Sequence, residues 1–122
     1  MHDPMATRIE PEALRHAVLL LREGAAGVEL PVSGGSMHPL LRTGDMVRID
    51  TRTVPVVGSI IAYRRGATVV LHRVLRIHGE RLLEMGDAAC ESSTWLAASD
   101  IVGVAVEVVT PERRTLALRR GA

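Results

Sequence analysis

The sequence predicts a mainly β fold, a compact antiparallel β domain with one N-terminal helix. The apolar fraction is 47%, yet Phe is absent and Trp and Tyr occur once each, so the core must consist of Val, Leu, Ile, Ala and Met. Many of these side chains are β-branched, which favours strands. From residue 47 onward, short apolar runs alternate with turn signals, and a chain of 122 residues is most simply one domain.

A single helix is predicted over residues 11–23. Pro11 suits a first helical position, and Gly24 suits a helix stop. Apolar residues recur in this stretch at three- and four-residue spacing, which predicts one buried face: Ala13, Leu14, Ala17, Val18 and Leu21. We therefore expect a helix that packs on the domain, in preference to one that binds a membrane surface or a partner.

The strands are predicted from alternation and from the turns between them. Apolar runs bounded by turn residues predict strands at 47–49, 59–63, 68–77, 81–85, 101–109 and 116–118. Residues 1–9 are predicted to be a loose leader, and residues 86–100 a loop. The predicted division of the chain is 1–27 for the leader and helix and 28–122 for the β domain.

Composition and charge exclude several classes of function. The net charge is +1, so the chain lacks the basic field of a nucleic-acid-binding protein. All 15 Lys and Arg positions are arginine, which excludes chemistry on a lysine of the chain. Cys90 is the only cysteine, which fits a reducing compartment. The apolar run at residues 17–21 is too short to span a membrane, so we expect a soluble, cytoplasmic protein.

The stretch SGGSMHPLL, residues 33–41, is the first candidate site. Glycines before Ser36 let the chain turn sharply and let a substrate carbonyl approach the backbone. A serine nucleophile also needs a base within hydrogen-bond reach and backbone N–H groups for the oxyanion. Because a Gly-Gly-Ser turn alone is common, other segments must supply these groups.

Two further residues offer that chemistry. His72 lies inside the apolar run TVVLHRVLRI, where it shares a face with Val70 and Val74. A histidine there is either a satisfied core residue or a base that points into a site. Asp87 follows Gly86 after the next strand, a place where an aspartate is usually a turn residue.

The order of these segments resembles one clan of serine peptidases with a common β fold. Residues 34–45, GGSMHPLLRTGD, resemble the G-x-S-M-x-P-x-L-x-x-G-D box of the type I signal peptidases and the LexA-type self-cleaving repressors. Residues 71–74, LHRV, are similar to the H-R-V box of the archaeal and endoplasmic-reticulum signal peptidases, which use a Ser–His pair where other branches use lysine. Residues 86–87 resemble the G-D-x-N box, and residues 95–103 the closing segment. The resemblance covers about residues 28–109.

The resemblance implies a serine endopeptidase that needs no cofactor and no metal. Ser36 would attack the scissile carbonyl, and His72 would take its proton and later give it to the leaving amine. Asp87 would orient His72, directly or through water, or support the loop. The backbone N–H of Ser36 would hold the oxyanion, with Gly34 and Gly35 on the substrate side.

Met37 and the loop after residue 87 leave alternatives open. Met37 is either a packing residue under the nucleophile or a wall of the substrate pocket. In the family an Asn follows the G-D pair and a second Asp completes the acid part of the site, whereas this chain has Ala89 and a shorter loop. Glu91 and Asp100 are therefore weaker alternatives to Asp87 as the acid.

These expectations lead to a soluble serine endopeptidase without a membrane anchor of its own. It would remove a leader or N-terminal extension from a peptide or protein precursor, with cleavage after small residues such as Ala. The substrate would lie extended beside an exposed strand. The expected partner is the precursor and not a nucleic acid, a partner protein could still bring the domain to a membrane, and the oligomeric state is open.

Two other classes compete with this interpretation. The altered loop after residue 87 is compatible with a peptide-binding module of the same fold that has lost catalysis. A fragment of a repressor-like regulator is disfavoured because the chain has no lysine base and the segment before the box is too short for a DNA-binding domain with its linker.

Overall fold

The computed structural model describes residues 6–22, 27–88 and 93–118. In these ranges the chain is mainly β, as the sequence predicts. The elements are β1 (Arg8–Ile9), α1 (Pro11–Arg22), β2 (Gly27–Ser33), β3 (Met46–Asp50), β4 (Ile60–Arg65), β5 (Thr68–His78), β6 (Arg81–Met85), β7 (Thr94–Ala97), a 3-10 turn (Ala98–Asp100), β8 (Ile101–Val109) and β9 (Thr115–Ala117). Across these ranges, no helix combines the length and the apolar character that a membrane crossing requires.

The strands form an antiparallel sheet that closes on itself. Its order is β1-β2-β3-β8-β4-β5-β6-β7, with β9 beside β8. The short strand β1 closes the sheet because Arg8 lies opposite Ser33 of β2 and also opposite Val70 of β5. It therefore lies between the strand that leads to Ser36 and the strand that carries His72.

Two apolar clusters form the core on the two faces of the central strands. In β5, Leu71 belongs to the first cluster, whereas Val70 and Val74 belong to the second. Successive strand residues point to opposite faces, so a strand buried on both faces has a continuous apolar run. His72 shares its face with Val70 and Val74, as the alternation predicts.

The helix packs on the first cluster. Ala17 is buried in it, and Ala13 and Leu14 pack against it, as the apolar spacing predicts. The side chains of Val18 and Leu21, the other two residues of the predicted face, lie outside what the structure describes.

Three strands were not predicted from the sequence. β2 contains Pro31, a residue that argues against a strand, although Val28, Leu30 and Val32 alternate on its buried face. β7, in the predicted loop 86–100, buries only Leu96 and so has a weak apolar pattern. β1 is part of the predicted loose leader and is only two residues long.

Candidate active site

Ser36 lies in the tight turn that follows β2. Gly34 in this turn has a φ of +102°, in the left-handed region that favours glycine. A Cβ at Gly34 would lie 2.2 Å from the carbonyl oxygen of Ala6, so no side chain fits there. The carbonyl of Gly35 accepts a hydrogen bond from the backbone N–H of His38 at 3.1 Å, which closes the turn.

The structure brings Ser36 and His72 together. Ser36 Oγ lies 2.8 Å from His72 Nε2, and the two residues are 8% and 6% exposed. This distance is that of a good hydrogen bond. A neutral His72 with its proton on Nδ1 can accept the hydroxyl proton of Ser36 at Nε2.

The carboxylate that contacts His72 is Glu84 of β6. Glu84 Oε2 lies 2.5 Å from His72 Nδ1, and Glu84 is 2% exposed. β5 and β6 pair with Val74 opposite Glu84. Because His72 and Val74 share a face, this register places the carboxylate beside the imidazole ring.

Two neighbouring side chains hold the Glu84 carboxylate from its other side. Arg65 Nη2 donates to the Tyr63 hydroxyl at 2.9 Å and lies 3.8 Å from Glu84 Oε1. The Tyr63 hydroxyl lies 3.4 Å from His72 Nδ1, and its ring meets the imidazole edge-on. Tyr63, Arg65, His72 and Glu84 thus form one polar network, in which only Arg65 is partly exposed.

The network sets the ionisation of Glu84. Burial by itself would raise the pKa of Glu84, but the hydrogen bond and the electrostatic interaction with His72 oppose that effect. The Tyr63 hydroxyl and the Arg65 guanidinium lower the pKa further, so it lies below the usual glutamate value. Glu84 is therefore a carboxylate at neutral pH and accepts the Nδ1 proton, which leaves Nε2 directed at Ser36.

Asp87, the predicted acid, is engaged elsewhere. Its carboxylate accepts two hydrogen bonds from Arg73, at 2.7 Å from Nε and 2.6 Å from Nη2. This pairing raises the pKa of Arg73 despite its partial burial. Arg73 Nη1 also donates to the carbonyl of Gly58 at 2.8 Å. The structure thus corrects the expectation that Asp87 contacts His72 directly, because Glu84 makes that contact. It favours the alternative that Asp87 supports the loop, and an orienting role through water stays a prediction.

The segment 86–88 positions Ser36 through its backbone. The N–H of Ala88 donates to the carbonyl of Ser36 at 2.8 Å. A Cβ at Gly86 would lie 2.9 Å from Ser36 Cβ and 3.1 Å from His72 Nε2, so only glycine lets the loop approach this closely. The G-D segment therefore contributes to the site, though through Gly86 and not through the carboxylate.

Met37 packs under the nucleophile. Its side chain is 0% exposed and belongs to the first apolar cluster, which favours the packing role over that of a pocket wall. Its sulfur accepts a hydrogen bond from the backbone N–H of Asp87 at 3.4 Å. Met37 therefore fixes the turn of Ser36 against the loop that follows β6.

Thr7 also enters the site, although the sequence predicts a loose leader there. It is 0% exposed, and its backbone N–H donates to Ser36 Oγ at 2.7 Å. Its Oγ1 accepts a hydrogen bond from the backbone N–H of Met37 at 3.0 Å. Of the leader, residues 1–5 lie outside the description, and residues 6–9 are an ordered part of the site.

Sequence reasoning missed Glu84 for an identifiable reason. In β6 the buried positions are Leu82 and Glu84, so the carboxylate is in phase with the apolar face. A charged residue at a predicted core position was the available signal. Of the other two carboxylates considered, Glu91 lies outside the described residues, and Asp100 ends the 3-10 turn that precedes β8.

Residues 5–106 match the family described as Peptidase S24-like. The chain belongs to the Peptidase S24-like family. Membership is compatible with the hydrogen bond between Ser36 and His72. Because this Peptidase S24-like chain contains no lysine, a lysine base from the chain itself is excluded. A comparison with curated protein sequences gives no match.

Proposed function

We propose that this Peptidase S24-like chain is a serine endopeptidase with Ser36 as nucleophile, His72 as general base and Glu84 as the carboxylate that orients the base. One observation carries the proposal: an unbroken line of contacts runs from the Ser36 hydroxyl through both ring nitrogens of His72 to Glu84. A histidine that is only a packed core residue needs no such order of partners. This order is the one that activates a serine for attack on a carbonyl.

In the first half of the proposed reaction, Ser36 Oγ bonds to the scissile carbonyl carbon while its proton passes to His72 Nε2. The carbonyl electron pair moves onto the oxygen, and the backbone N–H of Ser36 stabilises that negative charge. The tetrahedral adduct then collapses. The C–N bond breaks, His72 gives its proton to the leaving amine, and Ser36 carries the acyl group.

A water molecule completes the cycle. His72 takes one proton from the water as its oxygen attacks the acyl carbon, and Ser36 regains a proton as the new carboxyl product leaves. Glu84 remains ionised in both halves and stabilises the imidazolium that forms on His72. Tyr63 and Arg65 are positioning residues in this scheme because they hold the carboxylate and not the reacting atoms.

The proposed substrate is an extended segment of a peptide or protein precursor. This follows the Ser–His signal peptidases that the sequence resembles, with cleavage after a small residue and removal of a leader or N-terminal extension. A glycine-lined turn beside the nucleophile supports it, since the Ala6 carbonyl oxygen lies 2.2 Å from the place where a Cβ of residue 34 would stand, and only glycine leaves that space free. The precursor itself is the proposed partner.

The test combines peptide cleavage with a mechanism-based probe. Wild type, Ser36→Ala and His72→Ala are incubated with an extended-peptide library and, separately, with a fluorophosphonate that reacts with activated serines, and all products are followed by intact mass. Wild type should cleave and label, and each variant should lose about 10⁴-fold or more in rate. Exposed residues of the same types provide matched controls, Ser99→Ala and His78→Ala, which should retain the wild-type rate.

The alternative class gives a different result in the same experiment. A peptide-binding module without catalysis would bind library peptides in wild type and in Ser36→Ala alike, with neither cleavage nor labelling. That outcome in well-folded protein would reject the proposed enzyme. Cleavage that persists in Ser36→Ala would reject Ser36 as the nucleophile.

A further inference from the structure

Residues 6–9 occupy the space between the two strands that carry the site. Within it, Ile9 lies opposite Val32 of β2, and the N–H of Leu71 in β5 donates to the carbonyl of Thr7 at 2.8 Å. Ala6, Thr7 and Ile9 are no more than 2% exposed. The slot between β2 and β5 is the place where an extended peptide could pair with both strands beside Ser36, and the chain's own segment fills it.

Thr7 engages the nucleophile itself. The Ser36 hydroxyl has one proton and two lone pairs. Its proton is directed at His72 Nε2, and one lone pair accepts the N–H of Thr7 at 2.7 Å. A scissile carbonyl carbon must come to about 3–3.5 Å from Ser36 Oγ before attack. The Thr7 amide therefore occupies one of the two lone pairs of the oxygen that a substrate carbonyl carbon must approach.

The same residue covers a second polar group of the turn. Thr7 Oγ1 accepts the backbone N–H of Met37 at 3.0 Å, so an oxygen is already held beside the nucleophile where backbone N–H groups are available. The carbonyl of Ala6 lies against Gly34, in the contact that a substrate carbonyl would need. Residues 6 and 7 thus contact the Ser36 hydroxyl, the Met37 N–H and the space beside Gly34, all of which lie next to the nucleophile.

We infer that residues 6–9 are a latch that closes the substrate slot, and that an extended peptide must displace it to reach Ser36. The inference rests on the proposed function, because a latch has meaning only over a reactive serine. β1 is only two residues long, so a peptide that pairs over a longer stretch of β2 and β5 can replace its few main-chain hydrogen bonds. Thr7 is the central residue of the latch because, within residues 6–9, it donates to the Ser36 hydroxyl and also accepts the Met37 N–H of the turn.

The test measures how fast the fluorophosphonate labels Ser36 when Thr7 is changed. Thr7→Val removes the hydroxyl that binds Met37 and keeps the N–H, whereas Thr7→Pro removes the N–H that binds Ser36 Oγ. Each loss weakens the latch by one hydrogen bond, so labelling should be about fivefold faster than in wild type. Thr115→Val, an exposed change in β9, is the matched control and should label at the wild-type rate.

The outcomes separate the latch from the enzyme. If Thr7→Pro fails to fold, as judged by thermal unfolding, Thr7→Val decides the matter. Equal or slower labelling in the folded variants, with labelling still dependent on His72, overturns the latch and keeps the proposed enzyme. No labelling of any protein overturns the proposed enzyme and the latch with it. Release of residues 1–6 from wild type during incubation would show that the segment is a substrate, which also overturns the latch.

Discussion

Two carboxylates three residues apart have very different surroundings in this fold. Glu84 is 2% exposed and contacts His72, whereas the side chain of Asp87 is 24% exposed and pairs with Arg73. The sequence motif points to Asp87, but the face of β6 selects Glu84. The comparison teaches that a carboxylate serves a buried base only when the strand that carries it directs it inward.

The largest loss of activity is expected when Glu84, the buried carboxylate of the two, loses its charge. Glu84→Gln keeps the shape of the side chain but no longer stabilises the imidazolium on His72, and it can hold the ring in the wrong tautomer. We expect kcat/KM, or the labelling rate of Ser36, to fall by about 10³–10⁴-fold. Loss of less than about tenfold in a folded variant would show that Glu84 is a packing residue.

A second large loss of activity and stability is expected from a change at Gly86, which lies between the two carboxylates in the sequence. Gly86→Ala introduces a methyl group that would lie 2.9 Å from Ser36 Cβ and 3.1 Å from His72 Nε2. Overpacking of this kind costs about 1–3 kcal/mol of stability. We expect a lower unfolding temperature together with a loss of labelling, since the new atom displaces the two reacting groups. Gly86 is not among the glycines with a positive φ, so its effect comes from crowding. Gly79→Ala, where φ is +60° and a Cβ would meet nothing within 4 Å, should lower the unfolding temperature through backbone strain alone and keep the wild-type labelling rate.

The pH dependence of the unfolding free energy tests the ionisation of Glu84. The folded pKa of Glu84 lies below its unfolded value of about 4.3. Its ionised form therefore contributes stability that is fully present above about pH 4.3 and is lost as the pH falls through the folded pKa. The difference in unfolding free energy between wild type and Glu84→Gln, measured in urea, should shrink between about pH 5 and pH 3. A difference that stays constant over this range contradicts the lowered pKa.

The smallest effect on stability and activity is expected for a change at Asp87, the more exposed of the two carboxylates. Asp87→Asn removes the ion pair with Arg73 but leaves the backbone contacts of the loop in place. A partly exposed pair contributes up to about 1 kcal/mol, so we expect a modest loss of stability and a change in activity of about fivefold or less. A loss as large as that of Glu84→Gln would return the orienting role to Asp87.

Local patterns of the sequence predict much of the fold. The helix over 11–23 ends one residue earlier in the structure, and the strand over 81–85 has the predicted bounds. Both segments have their own periodicity and clear end signals. β1 and β7 could not be predicted in this way, because each is short and gains its stability from neighbours that are distant in the chain.

The residues of the candidate site also differ in how far local sequence patterns predict them. Ser36 and His72 belong to local boxes, and the structure places them in contact. Glu84 depends on the register between β5 and β6, and Thr7 depends on how β1 closes the sheet. Neither register is encoded in a short motif. The apolar phase of β6 marks Glu84 as buried, but only the fold shows that Glu84 and Thr7 contact the Ser–His pair.

The most direct test of the account compares the labelling rate of Ser36 in wild type, Glu84→Gln and Asp87→Asn at neutral pH, with His72→Ala as the inactive reference. The account predicts that Glu84→Gln falls close to the reference and that Asp87→Asn stays within about fivefold of wild type. The reverse order, with Asp87→Asn inactive and Glu84→Gln near the wild-type rate, would contradict the Ser36–His72–Glu84 assignment.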